Sequence, residues 1–327
     1  MRISTNSIVR NYRTHLGKST VRMNESRERV LTERNFTKAS QDPAGANKAF
    51  QLRREYLKNE DYLHNLGVAQ GQLAATESSL MQVNEMGKQV NGDVLRALSG
   101  TTSKEGRTAI AQNLEETAES IVMSMNIKYG DKFLFGGAST KEVPFKLENG
   151  KLLYRGTEVN GTGIDLEQMA EETNYLDLGF GLKKDGSGNI IKGTAYNISN
   201  PGIEALGYGV KDGVNQNMVS QILDMAAELR KDDFDEEKLR TISSHFDESM
   251  RRNLEKITQL GSTTKFLEHT ETRLKDSELN LNQKIADVEN VDLAEAITEF
   301  SWAEYAYNAA LKVGNSILSQ SFIDFMR

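Results

Sequence analysis

The chain has no cysteine, which excludes disulfides, thiolate metal sites and cysteine nucleophiles outright. Proline occurs three times in 327 residues and tryptophan once. No stretch approaches the ~20 apolar residues of a membrane span. The start, Met1-Arg-Ile-Ser-Thr-Asn, carries no continuous apolar segment, so no Sec-type signal peptide is expected. Basic residues are scattered among acids in a chain of net charge −7, a balance that disfavours nucleic acid as a partner. Hydrophobic content is 38%, enough for a thin or extended core rather than a large one.

Catalytic signals are equally scarce. The four histidines, His15, His64, His245 and His269, have no acidic or histidine partner at a metal-ligand spacing, so solvated side chains are expected. Gly161-Thr-Gly163 and Gly179-Phe-Gly181 lack the remaining glycines and the helix of a phosphate loop and read as turns. The acidic run from Asp232 to Glu237 precedes an apolar-periodic segment, where helix capping explains it. A calcium loop would need a glycine and alternating ligands. No catalytic residue, cofactor or metal site is predicted, and the chain does not read as an enzyme.

Glycine and proline divide the chain. Sixteen of 26 glycines and two of three prolines lie between Gly130 and Gly213, whereas 214–327 holds two glycines and no proline. Long helices therefore flank a turn-rich insertion. Within the insertion, Phe145 to Arg155 around Asn149-Gly150 predicts a hairpin with a type I′ turn. Phe180 to Thr194 around Asp185-Gly-Ser-Gly-Asn189 predicts a second, looser one. Leu52, Tyr56, Leu63, Leu66, Leu73, Leu80, Val83, Val90, Val94 and Leu98 mark one helical face of the first flank. On the second flank Leu239, Phe246, Asn253, Leu260, Leu267, Leu274, Leu281 and Val288 repeat every seven residues.

The periodicity breaks twice. Pro43 biases Asp42 out of helix, and Asp292 to Glu295 reads as a capping box. The segments predicted are a terminal helix over 1–42, bundle halves over 43–129 and 214–290, a β-rich insertion over 130–213 and a second terminal helix over 291–327. The expected fold is mainly α: an elongated helical rod or coiled-coil bundle from paired N- and C-terminal segments, with a small β-rich domain inserted.

The last helix carries an apolar stripe, with little chain beyond it to provide cover. Leu293, Ile297, Phe300, Glu304, Tyr307, Leu311, Gly314, Leu318, Phe322 and Phe325 follow one another at three- and four-residue steps. Val9, Tyr12, Leu16, Ser19, Met23, Ser26 and Val30 form a weaker stripe near the start, a plausible parallel or antiparallel mate. The apolar and tyrosine members of both stripes are the candidate assembly interface: Val9, Tyr12, Leu16, Met23, Val30, Leu293, Ile297, Phe300, Tyr307, Leu311, Leu318, Phe322 and Phe325.

This arrangement resembles the flagellin superfamily. Ser40-Gln-Asp-Pro-Ala-Gly45 resembles the segment after that family's N-terminal helix. Asp292 to Arg327, with Asn308-Ala-Ala-Leu-Lys-Val-Gly-Asn-Ser-Ile-Leu318 and Asp324-Phe-Met-Arg327, resembles its C-terminal core helix. Gly130-Asp-Lys-Phe-Leu-Phe-Gly-Gly137 with Pro144-Phe145, and Leu260-Gly261 with Leu267-Glu268, are similar to the branch at the hook–filament junction. Val30 to Thr37 departs from the Leu-Ser-Ser-Gly-Leu-Arg-Ile-Asn string of filament subunits. The resemblance implies a non-enzymatic, extracellular component of the bacterial flagellum. Its implied partners are copies of itself, hook-associated protein 1, flagellin, an export chaperone and the flagellar type III export apparatus. A divergent filament subunit and a coiled-coil regulatory protein are the alternatives.

Overall fold

The computed structural model describes residues 2–99, 102–161, 164–191 and 193–325, with side chains over the same stretches except 2–6, 164 and 317–325. The chain begins with three helices, α1 (Arg2–Thr32), α2 (Pro43–Ala97) and α3 (Lys104–Met125). Short antiparallel pieces follow: β1 (Lys128–Tyr129) with β2 (Lys132–Phe133), then a sheet of β3 (Phe145–Glu148), β4 (Lys151–Tyr154) and β5 (Thr157–Glu158). After α4 (Ile164–Ala170), β6 (Tyr175–Leu176) pairs with β7 (Tyr196–Asn197). Next come α5 (Gly202–Leu206) and the ribbon of β8 (Val210–Lys211) with β9 (Val214–Asn215). Three helices close the chain: α6 (Met218–Leu229), α7 (Glu236–Glu289) and α8 (Leu293–Phe325). The fold is mainly α with a small inserted β-containing domain, as the sequence predicts.

The chain forms two compact units, one of Met1–Glu60 with Lys275–Arg327 and one of Asp61–Leu274. In the second, the seven-residue series of α7 is the buried seam: Leu239, Phe246, Asn253, Leu260, Leu267 and Leu274 are all buried. Leu66, Leu73, Leu80, Val83, Val90 and Val94 of α2 join the same core, and α3 packs on α6 beside them. One polar residue interrupts the seam. Asn253 is fully buried and its Nδ2 donates to the Leu80 carbonyl at 3.2 Å. A polar side chain at one core position fixes helix register at some cost in stability. The acidic run caps α7, where Asp235 Oδ1 accepts from the Lys238 amide at 3.0 Å.

The insertion is fastened through backbone groups. Asn126, at the end of α3, accepts from the Phe145 amide and donates to the Phe145 carbonyl. Tyr154 is buried with its hydroxyl donating to the Phe135 carbonyl at 2.9 Å, and burial pushes its pKa up to about 12. The first predicted hairpin forms in register, Phe145 opposite Tyr154 and Glu148 opposite Lys151. Asn149 and Gly150 both have positive φ, as a type I′ turn requires.

The second predicted hairpin is corrected. Residues 180–194 hold a single bridge, Lys184 to Ile190, around a loop in which Asp185 Oδ1 accepts from the Ser187 and Asn189 amides. Gly179, Gly181, Gly188 and Gly193 take positive φ there, and left-handed residues do not sustain a ladder. The strands that do pair, β6 and β7, flank this loop. The expectation of four solvated histidines also needs one correction: His245 is half-buried, with Nδ1 3.4 Å from Gln216 Nε2.

Phe246 lies at the centre of the α7 seam with no exposed surface. Phe246→Ala is expected to destabilise the Asp61–Leu274 unit by about 3–5 kcal/mol. Guanidinium unfolding followed by circular dichroism measures it, and a loss below about 1 kcal/mol would contradict the burial.

Candidate assembly interface at the paired termini

Within the terminal unit, α1 and α8 pack together. The pairing is antiparallel, because Arg29 Nη1 bonds Glu299 Oε2 at 2.5 Å near one end while Tyr12 lies over Gly314 near the other. On α1 the half-buried positions include Val9, Tyr12, Leu16, Ser19, Met23, Ser26 and Val30, the whole predicted stripe.

On α8 the line that meets α1 is not the one the large residues mark. The covered positions are Ala296, Phe300, Ala303, Tyr307, Ala310 and Gly314. Of the predicted stripe, Phe300, Tyr307 and Gly314 belong to this line. Leu293, Ile297 and Leu311 stay exposed at 43%, 48% and 42%, and Glu304 is exposed too. The side chains of Leu318, Phe322 and Phe325 lie outside those described. The alanines explain the offset. Placed every seven residues, they let the two backbones approach closely, which bulky residues would prevent. A Cβ added at Gly314 would lie 1.9 Å from Tyr12 Oη, so the ring of Tyr12 occupies the space a side chain would need.

A polar clasp closes the base of the pair. Arg34 and Asn290 form an antiparallel bridge, the Asn35 amide donates to the Glu289 carbonyl at 2.8 Å, and the Val291 amide donates to the Glu33 carbonyl at 3.1 Å. Asn35 Nδ2 adds donations to the Asn290 and Val288 carbonyls. Arg53 grips Glu289 through two bonds, Nε to Oε1 at 2.6 Å and Nη2 to Oε2 at 2.5 Å. That fork holds the Glu289 carboxyl below its ordinary 4.5 and raises the Arg53 guanidinium. Both helices leaving the clasp start on an aspartate. Asp42 Oδ1 accepts from the Ala44 and Gly45 amides, and Asp292 Oδ1 from those of Ala294 and Glu295. The two phase breaks in the sequence are thus a matched pair of N-caps.

Beside the seam, a groove of about 810 Å³ runs between the helices, bordered by His15, Lys18, Arg22 and Glu25 of α1 and by Trp302 and Ala306 of α8. Among the described residues, no group of three His, Asp or Glu side chains could hold a metal, and no helix is long and apolar enough to cross a membrane.

These two features, paired terminal helices and a clasp between two N-caps, coincide with what comparison finds. The family model of the bacterial flagellin N-terminal helical region matches residues 3–140, and that of the C-terminal helical region matches 245–322. The chain belongs to the flagellin superfamily. It is 26% identical over 163 residues to flagellar hook-associated protein 3 of Salmonella typhimurium, a match spanning 50% of this chain and 51% of that relative's length. It is 23% identical to the flagellin of Bacillus subtilis over 92% of this chain and 91% of that one. A solved structure described as a flagellar hook-associated protein from Vibrio parahaemolyticus has the same fold, with a TM-score of 0.62 at 20% identity over 76% of this chain and all of that one. This is a superfamily of flagellar structural proteins.

Two predictions follow the geometry. Alanine is about 1 kcal/mol better than glycine in a helix interior, yet Gly314→Ala is expected to cost the α1–α8 pair about 1–3 kcal/mol by displacing Tyr12. In a Tyr12→Ala background the same change becomes neutral or stabilising. Amide exchange along α8 reads both, and a cost that persists without Tyr12 would refute the notch.

The second concerns acid. A carboxyl depressed in the folded state stabilises above its unfolded value and loses that contribution as pH falls through the lower, folded one. Glu289→Gln should therefore cost about 1 kcal/mol at pH 7, discounted for the half-exposed Arg53, and progressively less below pH ~4.5. Exchange rates at Asn35 and Val291 across that range provide the measurement. A penalty independent of pH would assign the effect to packing.

Proposed function

We propose that this protein is a non-enzymatic structural adaptor that joins the flagellar hook to the flagellin filament. The observation that carries this reading is the half-covered state of the terminal pair. Phe300 and Tyr307 are only partly buried by α1, while Leu293, Ile297 and Leu311 face solvent beside them. An apolar flank of this kind on a superfamily member is covered by neighbours in an assembly. Each large apolar side chain that becomes fully buried contributes about 1.5–3 kcal/mol, so covering the flank orders and stabilises the helices at the same moment. The expected neighbours are copies of this chain laterally, hook-associated protein 1 on one side and flagellin on the other. A chaperone and the flagellar type III export apparatus would handle the chain beforehand, on its way to an extracellular position. The similarity to hook-associated protein 3 of Salmonella typhimurium supports the junction role.

The likeness to Bacillus subtilis flagellin, which spans nearly the whole chain, favours a second reading as a filament subunit. The departure at Val30 to Thr37 weighs against it.

Deleting residues 293–327 is expected to leave the Asp61–Leu274 unit folded and to abolish joining to flagellin filaments. Leu311→Asp should do the same in lesser degree. Electron microscopy of the chain alone and with flagellin reads the outcome. Long fibres made by this chain alone support the filament subunit instead, and collapse of the whole fold on truncation shows α8 to be ordinary core.

A further inference from the structure

The terminal pair is electrically lopsided. Residues 1–42 hold nine basic and four acidic side chains, whereas 291–327 hold two and five, in a chain of net charge −7. The basic surplus meets solvent in the groove beside the seam. Lys18 and Arg22 stand on its wall, and neither forms an ion pair among the described residues, although Glu25 lies alongside. Trp302, the only tryptophan, borders the opposite wall at 69% exposure, and the small side chains of Ala303 and Ala306 leave room between. Arg29 and Glu299, paired with each other, close one end.

The opposite flank of α8 is shaped to fill such a groove. At about 100° per residue, Ile297, Glu304 and Leu311 form one line, on the side of the helix away from Trp302 and Ala306. All three are exposed. The line is apolar, acidic, apolar, with the acid at its centre. From Ile297 to Leu311 it is as long as the groove from His15 to Arg29, roughly 21 Å at about 1.5 Å per residue. Every copy thus carries a cationic groove on one flank of its α1–α8 pair and an acid-centred ridge on the other.

We propose that the groove takes the Ile297–Glu304–Leu311 ridge of a second copy of this chain, with Glu304 reaching Lys18 and Arg22. The inference rests on the adaptor reading and deepens it by naming the surfaces through which copies meet. The contact is heterologous, since groove and ridge are different patches. It therefore propagates copy to copy in one rotational sense and closes a ring or continues as a helix, rather than stopping at a two-fold dimer. Charge complementarity of this kind fixes register and accelerates encounter, and it weakens in salt.

The test uses the full chain with and without charge reversal, followed by sedimentation velocity at low and high salt and by Trp302 emission. The unsubstituted chain is expected to self-associate at low salt with a blue shift of Trp302, as the neighbour covers it, and to dissociate at high salt. Lys18→Glu with Arg22→Glu, and separately Glu304→Lys, should each weaken association by about tenfold or more. All three together should restore it. These side chains are exposed, and helicity by circular dichroism checks that each variant folds. The proposal is overturned if the unsubstituted chain does not self-associate, if it does so without a Trp302 shift, if either reversal leaves association unchanged, or if the triple variant fails to regain it. Joining to flagellin filaments is scored in parallel. A variant set that fails these criteria while still joining filaments overturns the groove-and-ridge contact and leaves the adaptor reading standing.

Discussion

The close approach of α1 to α8 governs the terminal unit. Ala296, Ala303, Ala310 and Gly314 form a line of small residues, and Tyr12 settles into the notch above Gly314. Such a seam defines position well and stabilises poorly. Hydrophobic stabilisation scales with apolar area removed from water, and alanine has little to remove. Opposite, Ser19 and Ser26 take two of the α1 places. Phe300 and Tyr307 are the large contributors, and both remain half exposed. The pair is specified by its own sequence but left short of the burial that would make it independently robust. That shortfall is the physical link between fold and assembly.

The clasp offsets part of it by different means. Backbone bonds from Asn35 and Val291, the Asn35 side chain and the Arg53–Glu289 fork tie the two chain segments where they turn. The geometry is not free. Glu33 sits at φ 56°, a left-handed conformation that costs a non-glycine residue about 1–2 kcal/mol. It persists because its carbonyl and the neighbouring amides are all engaged across the clasp. The polar clasp sets where the helices begin, and the small-residue seam sets how closely they run.

Much of this was legible in the chain. The α7 series, the first hairpin, the two aspartate caps and the α1 stripe can be read from spacing and turn chemistry, because local rules and the core agree there. The reading erred where they diverge. On α8 the large residues drew attention to Leu293, Ile297 and Leu311, whereas the contact line consists largely of alanines, which carry no periodic hydrophobic signal of their own. Their seven-residue spacing was the available clue. The clasp was invisible beyond its caps, since Asn35, Arg53 and Glu289 are ordinary polar residues until tertiary structure brings them within reach of one another. Around Asp185, clustered glycines outweighed the short apolar runs that suggested strands. The helices α4 and α5 lie in the same glycine-rich insertion, too short for periodicity to announce them.

The exposed flank also bears on the choice between adaptor and self-polymerising subunit. Ile297 and Leu311 are already about half covered, so each gains only a fraction of the ~1.5–3 kcal/mol that full burial provides. Glu304 between them must be desolvated against a cationic partner to add anything. Association itself costs roughly 4–15 kcal/mol in lost translational and rotational freedom. A ridge-and-groove contact of this size falls short of that cost between two free copies at low concentration. It becomes sufficient when a surface already holds each copy in place, because the second contact is then intramolecular in effect. An adaptor laid down on an existing end meets this condition from its first subunit. A filament that must grow from this chain alone would need further contacts between copies to supply the difference.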